Sequence, residues 1–156
     1  MSAPVTVRVL GRGDVSTLRS MLAMFGHAFD DVATYTAEQP DDEYLQGLLE
    51  SQTFVAIVAL AGTEVIGGLA GYVLPKFEQV RSEFYIYDLA VAEAHRRRGL
   101  ATALIQELRR LVAARGIYVI FVQADHGDDA AISLYTKLGM REEVLHFDIS
   151  PRENDA

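Results

Sequence analysis

Residues 83–112 constrain the fold of this chain more than any other stretch. Glu83 to Val91 is rich in β-formers and reads as a strand. Arg96-Arg97-Arg98-Gly99 is a basic turn, and beyond it Leu100, Leu104, Leu108, Leu111 and Val112 recur at the spacing of one helix face. The helix is stopped by Arg115-Gly116, a basic last turn followed by a glycine. A strand that enters a helix through a tight turn builds a layered α/β sheet, because the helix must pack back across the strands. The first N–H groups of a helix have no intrahelical partner and carry partial positive charge, so this junction suits a pyrophosphate. Arginines add charge-assisted bonds to phosphate oxygens, and Gly99 lets the backbone approach closely. An arginine run alone reads as a solvated loop; the strand–turn–helix context makes a phosphate seat an equal reading.

The rest of the chain supplies the remaining layers. Val5 to Leu10 alternates as an opening strand, and Asp14 is placed to cap a helix carrying Val15, Leu18, Leu22 and Phe25. Residues 27–40 read as a polar connection, and Asp41-Asp42-Glu43 opens a second helix ending near Glu50. Thr53 to Leu60 and Val65 to Leu74 form a hairpin around Ala61-Gly62-Thr63-Glu64. Ile117 to Gln123 is the next strand, and Ala130 to Leu138 is a short helix stopped by Gly139. Leu145, Phe147 and Ile149 make the inner face of a last strand. Antiparallel hairpins thus give way to a parallel crossover. Residues 1–150 form one domain and 151–156 a polar tail.

The chain has 156 residues, half of them hydrophobic, enough for a real core. The longest apolar run, Phe54 to Ala61, is strand-sized, so no membrane span is expected, and the N-terminus lacks a signal-peptide pattern. Cysteine is absent, which removes a thiol nucleophile and thiolate metal sites and fits a cytoplasmic location. The four histidines, His27, His95, His126 and His146, show no metal-ligand spacing, so no metal is expected. A net charge of −8 and a pI near 4.9 disfavour nucleic acid and anionic membranes as partners. Three arginines at one loop in an otherwise acidic chain suit one anionic ligand and one cationic ligand.

Arg96-x-x-Gly99-x-Ala101 is similar to the Arg/Gln-x-x-Gly-x-Gly/Ala signature of the GNAT N-acetyltransferase superfamily. Asp128-x-x-Ala131-x-x-x-Tyr135-x-x-x-Gly139-Met140 resembles its Asn-x-x-Ala-x-x-x-Tyr-x-x-x-Gly-Phe element, with Asp for Asn and Met for Phe. A carboxylate cannot donate the hydrogen bond an amide can, so the resemblance leaves a pantetheine contact at Asp128 open. Asp31 to Tyr35, Tyr72 to Gln79, Tyr85 to Val91, Val122 to Asp125, Leu134 to Gly139 and Arg141 to Ile149 resemble the gentamicin-type aminoglycoside 3-N-acetyltransferases.

The resemblance implies a mixed, mostly antiparallel twisted sheet with helices on both faces. It also implies acetyl-CoA bound by Leu89, Ala90, Val91, Arg96, Arg97, Arg98, Gly99, Leu100, Ala101, Thr102, Ala131 and Tyr135. The acceptor it implies is the 3-amino group of a cationic deoxystreptamine drug, acetylated by direct attack in a ternary complex. Relatives commonly end with one strand more than this chain, which implies an edge covered in a homodimer.

The resemblance implies that Tyr135 faces the departing thiolate, where on the residues alone it reads as a half-buried core side chain; a hydrogen bond rather than full proton transfer is expected because a phenol is the weaker acid. Asp88 is expected to hold the ammonium or take its proton, with Tyr87 its neighbour. In a regular strand the two face opposite sides, and a bulge would change that. A backbone N–H at Val91 or its neighbour is expected to stabilise charge on the acyl oxygen. Asp31, Tyr35, Glu143 and Asp148 are candidates on the aminoglycoside side; each also fits a solvated acidic face. Two other readings stay open: a polyamine or protein-amine acetyltransferase, and a non-catalytic acetyl-CoA-binding regulator.

Overall fold

A computed structural model describes residues 3–153 of the chain. The described residues fall into two units divided between residues 123 and 124. The first carries β1 (Val5–Val9), α1 (Val15–Ala28), α2 (Val32–Thr36), α3 (Asp42–Glu50), β2 (Phe54–Ala61), β3 (Glu64–Pro75), β4 (Ser82–Val91), α4 (Leu100–Ala114) and β5 (Val119–Val122). The strands form one sheet in sequence order, antiparallel except for the parallel β4–β5 pair. This is the expected mixed, mostly antiparallel sheet with helices on both faces.

β2 is the strand buried on both faces, which is why Phe54 to Ala61 reads as a continuous apolar run. Its even-numbered residues Phe54, Ala56, Val58 and Leu60 pack with Leu18, Met21, Met24 and Phe25 of α1 and Leu45 and Leu49 of α3. Its odd-numbered residues face the side of α4, whose Leu104, Leu108 and Val112 are buried along the predicted helix face. Gly62 turns the β2–β3 hairpin with φ 63°, and Gly116 ends α4 with φ 71°, left-handed positions that glycine adopts without Cβ strain.

Three local expectations change. The Asp14 carboxylate does not cap α1; it accepts from the Gly11 N–H at 2.7 Å and pairs with Arg8 at 3.1 Å. Two donors just upstream hold it away from the helix end. Within the polar connection lies a short helix, α2, which its sequence hides because five residues carry no periodic pattern. The segment carrying Leu145, Phe147 and Ile149 is not a strand, and these side chains are exposed. Strand backbone needs a ladder partner, and the second unit contains one regular element among its described residues, α5 (Asp129–Leu138). Of the tail, residues 151–153 are exposed, and 154–156 lie outside the described residues.

The sheet carries two irregularities. In the β3–β4 ladder Ala70 pairs with Asp88 while Gly71 pairs with Ile86, so Tyr87 is an extra residue on β4. A Cβ on Gly71 would collide with the Tyr85 carbonyl and lie 2.5 Å from the Phe84 ring. The bulged strand therefore depends on the bare Gly71 backbone. Gly71→Ala is expected to destabilise the protein by about 1–3 kcal/mol, seen as a lower Tm by calorimetry; an unchanged Tm would mean β4 does not need that space.

Candidate active site

The Tyr87 bulge decides which way the β4 side chains point. Opposed residues in an antiparallel pair share a face, so Asp88 lies with Ala70, and Tyr85 with Tyr72. Ala70 and Ala90 pack against the α1 core cluster, which places Asp88 on that side. The Tyr87 ring meets Tyr72 edge-on at 5.8 Å and Tyr85 at 6.0 Å. Tyr87 and Asp88 therefore face the same side, where a regular strand would have separated them.

Around them lies an aromatic strip that sequence reading did not assign to the site. Phe54 touches Tyr72 at 5.5 Å, and Tyr85 touches Phe121 at 4.6 Å, edge to face. The signal was Tyr72, Tyr85, Tyr87 and Phe121 on three strands, but joining them requires the register.

The Asp88 carboxylate accepts a 3.0 Å hydrogen bond from the Tyr35 hydroxyl. Burial pushes its pKa above the usual carboxylate value, and the Tyr35 bond works in the opposite direction by favouring the charged form. Tyr35 itself is held well above the usual phenol value, by burial first and then by Asp88. Tyr35 reaches this point because α1 ends in a tight reversal. Asp30 is left-handed (φ 53°), and the Asp31 N–H bonds the Gly26 carbonyl at 2.8 Å. A Cβ on Gly26 would lie 3.0 Å from the Val32 Cα, so the missing side chain lets α2 close onto α1. Phe25, Phe29 and Tyr35 then cluster with ring centroids 5.6–6.0 Å apart. Asp31 is exposed and adds charge near Tyr35.

At its other end β4 loses its neighbour. The β4–β5 ladder stops at Ile86–Val122, and among the described residues no strand pairs with residues 87–91 on that edge. The Ala92 N–H bonds the Ile66 carbonyl of β3 at 2.8 Å. Successive N–H groups of a strand point to opposite edges, so those of Val91 and Leu89 point to the open edge. Ala90 lies between them, its side chain partly buried against the α1 cluster.

The basic turn follows. Arg96 Nε bonds the Val91 carbonyl at 3.2 Å, and Arg98 contacts His95 Nδ1 at 2.9 Å. Arg97 is exposed and left-handed (φ 63°), as is Gly99 (φ 74°). Gly99 is the N-cap of α4 and offers no side-chain cap. The helical ladder starts at Ala103 N–H to Gly99 carbonyl, 3.0 Å, so the N–H groups of Leu100, Ala101 and Thr102 precede it and are available to an anion. What this turn offers an anion is thus mainly backbone. Arg96 and Arg98 also bond within the turn.

In the second unit, Asp128 caps α5, its carboxylate accepting from the Ala131 N–H at 3.3 Å. The carboxylate that replaces the usual amide has a helix-capping role. Tyr135 is half-buried on α5, its pKa pushed up to about 12 by burial first and then by the Asp128 charge. A phenol this weak as an acid is suited to donating a hydrogen bond rather than a proton. Glu143 pairs with Arg141 at 2.5 Å and Asp148 with His146 at 2.9 Å in the exposed stretch after α5.

The raised pKa of Asp88 has a consequence for stability. A carboxyl titrating higher in the folded than in the unfolded chain contributes stability below its unfolded pKa, and that contribution is lost as pH rises through the folded value. At neutral pH, Asp88→Asn is therefore expected to raise Tm, with Asn still accepting from Tyr35. The gain should vanish as pH falls below the ordinary carboxyl range. A thermal melt series in which the variant is never more stable than the parent would refute this.

A family model described as the acetyltransferase (GNAT) family matches residues 20–140. An aminoglycoside acetyltransferase from an uncultured soil metagenomic sample is 57% identical, with a TM-score of 0.93 over 96% of this chain and 99% of that one. A second, also from uncultured soil and crystallised with sisomicin, is 30% identical, with a TM-score of 0.86 over 95% and 97% of the two chains. An N-alpha-acetyltransferase of Sulfurisphaera tokodaii is 29% identical over 51% of this chain and 54% of its own length. This chain spans about half the length of the curated relatives it matches.

Proposed function

The chain belongs to the acetyltransferase (GNAT) family, and from that premise we propose that it acetylates an aminoglycoside with acetyl-CoA, at the 3-amino group of a gentamicin-type deoxystreptamine drug. The observation that carries this reading is the bulged β4, which sets a half-buried carboxylate and a strip of tyrosines beside an edge that no strand pairs among the described residues. The similarity to aminoglycoside acetyltransferases supports the choice of acceptor, as does the net charge of −8.

Acetyl-CoA supplies the acetyl group as a thioester, and its CoA portion departs as the thiol. The N–H groups of Leu100, Ala101 and Thr102, with Arg97, hold the pyrophosphate at the start of α4. Leu89 and Val91 offer N–H groups to the pantetheine amides and to the acyl oxygen, where negative charge builds. Asp88 receives the proton of the acceptor ammonium, directly or through one water, and burial makes it a better base than an ordinary aspartate. Tyr87 and Tyr72 border the acceptor, with Tyr35 on α2 and Asp31 at its N-cap. The nitrogen attacks the thioester carbonyl in a ternary complex, the C–S bond breaks, and the surplus proton of the attacking nitrogen passes through water to the departing sulfur, which leaves as the thiol; the role that the resemblance gives Tyr135 is a hydrogen bond to that sulfur. Acetylation removes a positive charge with which such drugs bind RNA, and so confers resistance.

A protein amine as acceptor is the second reading, supported by the similarity to an N-alpha-acetyltransferase. A thiol-release assay with gentamicin, kanamycin, spermidine and a lysine peptide separates the two. Turnover is expected with gentamicin and little with the peptide; turnover with the peptide alone would move the substrate. Asp88→Asn is expected to lower kcat/KM by about 10²–10⁴-fold and Tyr135→Phe by less, both sparing CoA affinity. If neither slows turnover, the assigned roles fall. If no acceptor turns over although CoA binds, a regulator is the better reading. We also propose a homodimer, which light scattering at micromolar concentration should report as twice the 17.2 kDa chain mass.

A further inference from the structure

The short helix α2 carries Tyr35 to Asp88, yet five residues do not sustain a helix in water on their own. Something beyond local propensity must hold it. The reversal at Asp30 and Asp31 fixes its start. Its far end is held by a chain of side-chain bonds leading back to α1. Arg19 of α1 donates to Gln39 Oε1 at 2.9 Å, to the Pro40 carbonyl at 2.9 Å and to the Asp42 carboxylate at 2.7 Å. Gln39 Nε2 in turn donates to the Tyr35 carbonyl at 3.0 Å. The partners settle the orientation of the amide, because Arg19 can only donate and a carbonyl can only accept.

Four groups are therefore linked in series from the surface to the site: Arg19, Gln39, Tyr35 and Asp88. We propose that Arg19 and Gln39 are positioning residues that keep the Tyr35 hydroxyl on the Asp88 carboxylate, Arg19 fixing the amide and the amide fixing the turn of α2 that aims the phenol. The proposal rests on the catalytic reading of Asp88. The other titratable groups facing this pair are Tyr72 of β3, Tyr85 and Tyr87 of β4, and Asp31 beside Tyr35. None of them donates to the Asp88 carboxylate among the described hydrogen bonds, so Tyr35 is the group through which α2 acts on it.

The test follows the Asp88 carboxyl by carbon-13 NMR in the full chain without substrate, alongside the pH profile of kcat/KM for gentamicin. Tyr35→Phe removes a bond that favours the carboxylate, so the Asp88 titration and the acidic limb of the profile should both move to higher pH. Gln39→Met, which is neutral and of similar length, should move both the same way and lower kcat/KM at neutral pH by about tenfold. Arg19→Met should act in the same direction. In a Tyr35→Phe background Gln39→Met should produce no further movement, which separates transmission through the phenol from any direct effect. Should Gln39→Met and Arg19→Met lower Tm while leaving the Asp88 titration in place, the pair is merely structural and the proposal fails. If the titration moves as expected but gentamicin is not acetylated, the positioning stands and the choice of acceptor falls.

Discussion

The bulge at Tyr87 requires Gly71 to be bare, because the β4 backbone swings into the space where a Cβ would stand. One extra residue shifts the alternation of the strand, so that the positions before and after it present side chains by different parity. The fully buried Phe84 and Ile86 keep the α4 side of the sheet apolar. Tyr85, Tyr87 and Asp88 are all delivered to the opposite side. Without the bulge, a carboxylate and its neighbouring phenol would sit on opposite faces, one of them in the α4 core. The polarity of this end of the sheet therefore follows from a defect in strand pairing.

The second determinant is the early end of the β4–β5 ladder. Parallel pairing covers residues 83–86 of β4 and then stops. The remaining β4 edge carries N–H groups that no strand among the described residues receives, and the basic turn after it leads to a helix N-terminus that lacks a side-chain cap. Unpaired backbone donors are costly when buried and useful when a ligand carries acceptors. Two runs of such donors, one along β4 and one at the start of α4, are joined by a turn with left-handed residues at Arg97 and Gly99. A non-glycine residue in that conformation costs about 1–2 kcal/mol, and such positions cluster at ligand sites.

Asp88 shows how burial and hydrogen bonding divide the work of tuning one group. Burial alone would favour a neutral acid, unable to accept a proton. The Tyr35 hydroxyl works against that without adding a charge of its own. The carboxylate is therefore more basic than one in water and less so than one buried alone. That balance is set from α2, a helix too short to persist unaided, and through it from α1 and α3.

The sequence by itself determined the elements with a period. The continuous apolar run of β2, the helix faces of α1 and α4, the glycine stops and the Arg96–Gly99 turn were all legible, because burial and chain reversal act on composition at short range. The tertiary structure alone decided what depended on partners distant in the chain. The Tyr87 bulge exists only against Gly71, and the Tyr35–Asp88 bond spans 53 residues. Asp14 was drawn from its helix by Arg8 and Gly11, and Leu145, Phe147 and Ile149 alternated like a strand yet had none beside them in their own unit. Periodicity records which face an element wants buried. Register, hydrogen-bond partners and pKa depend on which other atoms arrive there, and that is settled only when the chain closes on itself.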